Sequence, residues 1–103
     1  MTTAGFLKQV SDLKGRAFLN DGRLRFRGPG GRVCCPITAV YLAKTGAFLS
    51  VEDWEAAAEA LGLGYADGWS IALCAEDEID PARGKDRKLR ASLLEAAGVS
   101  DVG

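Results

Sequence analysis

RAFLNDGRLRFR, residues 16–27, reads as an antiparallel β-hairpin and makes the chain α+β rather than all-helical. Two short β-prone runs flank Asn20-Asp21-Gly22, residue types that tolerate the positive φ of a tight turn. Arg23, Arg25 and Arg27 alternate with Leu24 and Phe26, so on a strand the arginines share one face and the apolar pair turns to the core. The turn sets what joins them. A two-residue turn at Asp21-Gly22 pairs Leu19 and Ala17 with Leu24 and Phe26 inside and leaves Phe18 outside, opposite Arg25. A three-residue turn with a bulge at Gly22 sends Phe18 inward instead. The first register makes an aromatic and guanidinium platform; the second leaves a plain basic strand.

Outward from the hairpin the pattern is helical. Phe6, Leu7, Val10 and Leu13 form the apolar stripe of a helix over Thr3–Leu13, ended by Gly15. Gly28-Pro29-Gly30-Gly31 is a loop, and Pro36 suits the first turn of a helix that runs to about Lys44 with Ile37, Val40 and Tyr41 on one face. Ser50 and Asp53 have capping-box spacing before a third helix, with Leu49 and Trp54 as its staple. Val51, Trp54, Ala58 and Leu61 continue that stripe up to Gly62. A fourth helix is expected over Gly68–Glu76 with Trp69, Ala72 and Leu73 inward, and a fifth over Lys85–Ala97 with Leu89, Leu93 and Ala96 inward. The expected fold is a helix-rich α+β domain of about five short helices and one hairpin at 16–27.

At 103 residues, 48% hydrophobic and 26% charged, the chain has room for one ordinary globular core and shows no repeat or linker. No apolar run approaches the roughly 18 residues of a membrane helix, and residues 1–15 read as an amphipathic helix rather than a signal peptide. The expected location is the cytoplasm in which the chain is made, with no membrane partner. Three cysteines leave one unpaired in any intramolecular scheme, and neighbours such as Cys34 and Cys35 bridge only with strain, so reduced thiols are expected. The chain contains no histidine. That removes Ser-His and Cys-His nucleophile pairs, the usual base near neutral pH and most zinc sites, and it weighs against an enzyme.

The charges are unevenly placed. Residues 1–50 hold eight basic and two acidic side chains, residues 51–80 nine acidic and no basic, and residues 81–103 five basic and three acidic. Either these blocks neutralise one another or they make a bipolar surface that steers a charged partner. Residues 16–32 contain five arginines and no lysine, and the planar guanidinium fork suits phosphate and carboxylate. The expected partner-binding residues are Arg16, Phe18, Arg23, Arg25, Arg27 and Arg32. Two other readings of the stripe stand beside this one: a charged edge strand that blocks sheet-to-sheet aggregation, and intramolecular pairing with the acidic block.

Other features point less sharply. Gly28–Gly31 lacks the lysine and the strand–glycine–helix context of a nucleotide loop, so no cofactor is expected. Cys34 and Cys35 precede a helix N-terminus, where a thiolate is favoured, yet cysteine is also a commonly buried small residue; burial is expected, and no metal site. Glu76, Asp77, Glu78 and Asp80 with Lys85, Arg87 and Lys88 form a secondary charged surface. The three cations and Arg90 crowd the start of the last helix, where the dipole disfavours them, so either the acidic cluster or an outside anion must offset them.

Cys34–Val40 (CCPITAV), followed by Trp54 and Leu61-Gly62-Leu63, resembles a pattern in small uncharacterised phage and prophage accessory proteins, over about a third of the chain. The resemblance implies a mobile-element origin, a setting in which small chains often bind and block host machinery; anti-CRISPR proteins are the prominent class. It brings no catalytic residues. The expected function is a non-catalytic protein that engages a bacterial protein or ribonucleoprotein complex, as a monomer or homodimer. Direct nucleic-acid binding through Phe18 and the arginines, and a thiol-dependent enzyme, are the alternatives.

Overall fold

Asp21 and Gly22 have φ of 53° and 77°, so the two-residue turn is of the mirror-image kind whose twist matches that of the strands it joins. Strand β1 (Ala17–Asn20) therefore pairs with β2 (Arg23–Arg27) in the first of the two registers: Ala17 faces Phe26, Phe18 faces Arg25 and Leu19 faces Leu24. Leu24 and Phe26 are buried as their alternation requires. The computed structural model describes residues 1–78 and 82–99.

The Gly28–Gly31 segment is a tight 3-10 turn rather than an open loop. Gly30 and Gly31 take left-handed φ, and the Gly28 N–H donates to the Arg32 carbonyl at 2.8 Å. This reverses the chain and adds a third strand, β3 (Val33–Cys34), which pairs Cys34 with Phe26 and makes β2 the central strand. Two residues are too few to leave a periodic signal, which is why the sequence shows only a hairpin.

Among the described residues five α-helices complete the fold: α1 (Thr3–Ser11), α2 (Pro36–Thr45), α3 (Trp54–Ala60), α4 (Tyr65–Ala75) and α5 (Gly84–Ala97). Helix-rich α+β holds. Helix α5 packs on α1 and α4, α2 lies against α3 and α4, and both α2 and α4 reach β2. Phe6, Val10, Leu24, Phe26, Ile37, Val40, Ile71 and Leu93 fill the space between them.

Three local expectations shift. Ser50 and Asp53 meet side chain to side chain, 3.1 Å from Oγ to Oδ2; Val51–Asp53 form a 3-10 turn, and α3 starts only at Trp54. Helix α4 begins three residues earlier than expected and buries Gly68, Ile71, Cys74 and Ala75, so Trp69 points outward. The cause is close packing at Gly68: a Cβ there would lie 3.2 Å from the Ala58 Cβ, so the small-residue face meets α3. Helix α5 buries Asp86, Arg90, Leu93, Leu94 and Ala97, one position out of phase with the expected Leu89 and Ala96.

Buried Arg90 explains that phase. Its guanidinium donates to the carbonyls of Cys74 and Gly22, and Nε lies 3.3 Å from Asp77 Oδ1. One side chain thus joins α5, the end of α4 and the hairpin turn. Among the described residues, every buried side-chain nitrogen and oxygen has a hydrogen-bond partner.

Candidate functional site

The arginine stripe divides into two parts. Arg25 is only 9% exposed, and its Nη2 sits 2.7 Å from Glu76 Oε1 at the end of α4. Arg23 Nε approaches the other oxygen of the same carboxylate at 3.5 Å. These two arginines neutralise part of the acidic block from within, so the expectation of a three-arginine open face is corrected at Arg25. The position of Arg25 on the central strand, beneath the end of α4, is what buries it.

Arg16, Arg27 and Arg32 differ. All three are exposed and none forms an ion pair with a described residue. The Arg27 guanidinium lies 5.2 Å from the centroid of half-buried Phe18, diagonally across the β1–β2 pair. Arg32 lies 4.9 Å over Phe48. Stacking on a ring fixes the guanidinium plane and leaves its N–H edge available to an anion. Arg16 and Arg27 line an open concavity of about 550 Å³ floored by Gly28, Pro29, Leu42 and Gly46. The platform expected on the hairpin thus exists in reduced form, as Phe18 with Arg27, beside Arg16 and Arg32.

The secondary charged surface is also only partly assembled. Glu76 serves the hairpin and Asp77 serves Arg90, while Glu78 is exposed. Asp80 lies outside the described residues. Lys85, Arg87 and Lys88 are exposed without an ion pair to a described residue; within the first turn of α5 the nearby anion is Asp86, which Arg83 approaches at 3.5 Å.

All three thiols are buried. Cys35 caps α2: its backbone N–H donates to Thr38 Oγ1 at 3.0 Å, and the Thr38 N–H donates to Sγ at 3.5 Å. Burial pushes the Cys34 and Cys35 thiols up, against a smaller lowering by Thr38, and so favours the protonated form. Among the described residues no group of three or more histidine, cysteine or acidic side chains is arranged to hold a metal.

A second surface lies outside the sequence expectations, which put Trp54 and Trp69 in the core. Trp54, Tyr65 and Trp69 form a cluster with ring centroids 5.8–6.5 Å apart, within the range of favourable aromatic pairs. Tyr65 is 69% and Trp69 46% exposed. The four-residue spacing of Tyr65 and Trp69, opposite the small Gly68 face, is the signal that identifies it once α4 is started at Tyr65.

The sequence matches no protein-family model and no curated protein, and the fold matches no solved structure.

Proposed function

We propose that this chain is a non-catalytic binding protein of the bacterial cytoplasm that engages and inhibits or modulates a nucleic-acid-handling complex, in the manner of an anti-CRISPR protein, by gripping an anionic surface of its partner with Arg16, Arg27 and Arg32. The observation that carries this reading is the division of the arginines. Two are consumed by Glu76, whereas three stay exposed: Arg16 and Arg27 line one concavity, and Arg27 and Arg32 stack on phenylalanine rings. The absence of histidine and the burial of every thiol support a binding role over an enzymatic one. The resemblance around Cys34–Val40 supports the type of target.

Direct nucleic-acid binding is the second reading, favoured by the Phe18–Arg27 pair, which has the ring-and-guanidinium character of single-strand binding surfaces. One experiment separates the two. Wild-type protein and the triple variant Arg16→Glu, Arg27→Glu, Arg32→Glu are immobilised and exposed to bacterial lysate with and without nuclease, and the retained proteins are identified by mass spectrometry. Nuclease-resistant capture by the wild type alone supports the proposal. Equal capture by both proteins removes the basic face from the function. Capture that nuclease abolishes, together with a salt-sensitive mobility shift of a DNA or RNA probe, establishes the second reading.

A further inference from the structure

The aromatic cluster has a charge setting opposite to that of the hairpin. Between residues 51 and 78 the chain has eight acidic and no basic side chains. Glu76 and Asp77 are paired with arginines; Glu52, Asp53, Glu55, Glu59, Asp67 and Glu78 are exposed and make no ion pair with a described residue.

Trp54 is a wall shared by two concavities. On one side, with Trp69, it bounds a space of about 410 Å³ that also has Glu52 and Glu78 in its lining. Arg25 and Glu76 line the same space and neutralise each other there. On the other side, with Tyr65, it bounds a space of about 360 Å³ lined by Glu55 and Glu59. An exposed aromatic ridge is thus flanked on both sides by unpaired carboxylates.

We propose that the Trp54–Tyr65–Trp69 ridge is a docking site for a segment of a protein partner rich in arginine or lysine. The chemistry selects that occupant. A basic side chain lays its stem along an indole or phenol face, gains cation–π attraction there and brings its charged head to the carboxylates beyond. Phosphates meet repulsion from Glu52, Glu55, Glu59 and Glu78, the four carboxylates that line the two concavities without an ion pair to a described residue, so nucleic acid does not fit this face. A wholly apolar partner leaves the same carboxylates desolvated without partners. A second copy of this chain, presenting its own arginines, matches in charge. Its contact between unlike faces is, however, heterologous and extends into chains of molecules unless the rotation closes a ring. Tryptophan, tyrosine and their surround of polar residues also match the composition of binding hot spots. This surface is independent of the basic face, so either proposal stands or falls alone.

The test uses the intact chain and a tryptophan-free hexa-arginine peptide, followed by tryptophan emission and by calorimetry. Both tryptophans of the chain lie in the ridge, so emission reports that surface alone. The expected result is a saturable emission change that weakens with added salt. Affinity should fall roughly tenfold or more in Trp69→Ala, the size of effect typical of a hot-spot aromatic, and similarly in the double variant Glu55→Gln, Glu59→Gln. Arg27→Glu, on the other face, should not weaken it. Tyr65→Ala provides the same comparison if Trp69→Ala fails to give a cooperative melt. The proposal is overturned by the absence of a saturable change, or by unaltered affinity in the folded ridge variants. It is equally overturned if an oligonucleotide produces the same emission change, or if sedimentation shows concentration-dependent self-association that Trp69→Ala removes.

Discussion

The Arg25 guanidinium meets the Glu76 carboxylate at 2.7 Å, and this contact fastens the middle of the central strand to the end of α4. Arg27, two residues along the same strand, is exposed, stacks on the Phe18 ring and makes no ion pair with a described residue. The two positions should therefore differ in stability. Arg25→Ala leaves the partly buried Glu76 carboxylate with only the longer contact to exposed Arg23 and is expected to cost about 2 kcal/mol, while Arg27→Ala stays within about 0.5 kcal/mol. Urea unfolding of both variants checks the contrast. A double-mutant cycle between Arg25→Ala and Glu76→Ala should show coupling, and its absence would reassign the burial of Arg25 to packing.

Arg90 joins three elements through one planar group: the carbonyls of Gly22 and Cys74 and the carboxylate of Asp77. Arg90→Met keeps much of the volume but leaves those acceptors without donors, and about 3 kcal/mol of destabilisation is expected. Arg90→Lys should recover little, because an ammonium does not reproduce a fork spanning three directions. Hydrogen exchange should show the hairpin turn opening first in both variants; full recovery by lysine would show that charge alone matters there.

The hairpin, though not its register, was legible because Asn20-Asp21-Gly22 and the Leu24–Phe26 alternation mark it locally; the positive φ of both Asp21 and Gly22 then selects the two-residue turn. The fate of the arginines was not legible. Whether a strand arginine faces solvent depends on Glu76, 51 residues from Arg25 in sequence, and on β3, whose two residues are too short to show a pattern. A similar non-local cause misplaced Trp69. The helical stripe of α4 looked right with tryptophan inside, since indole is large and apolar, but α3 packs on Gly68 and selects the small-residue face. Arg90 escaped because a buried arginine on α5 is decided by carbonyl acceptors that only the tertiary structure assembles.

Cys74 leads to a pH prediction. Burial, then the Asp86 carboxylate, push its thiol up from 9.0 to about 11, with Arg90 acting the other way. Between about pH 9 and about pH 11 the unfolded chain has lost a proton that the folded chain still binds, so stability falls as pH rises through that window. Below it the contribution is fully present. One such thiol gives a slope of up to about 1.4 kcal/mol per pH unit. Urea midpoints for wild type and Cys74→Ala across this range should diverge in slope, with the variant shallower. Parallel curves would remove Cys74 from the alkaline transition.

The contact of α4 with α3 at Gly68 presents the aromatic ridge. At Gly68 an added Cβ would lie 3.2 Å from the Ala58 Cβ and 3.5 Å from Trp54 Cζ3, so α3 and α4 approach each other only because this position has no side chain. Gly68→Val should push the helices apart and cost about 1–3 kcal/mol by overpacking. It should also shift tryptophan emission, because Trp54 sits on one helix and Trp69 on the other. Gly15→Ala is the matching control. A Cβ there meets nothing within 4 Å, so the effect should be neutral or slightly stabilising. If Gly68→Val melts like the wild type with unchanged emission, close helix packing is not what orients the ridge.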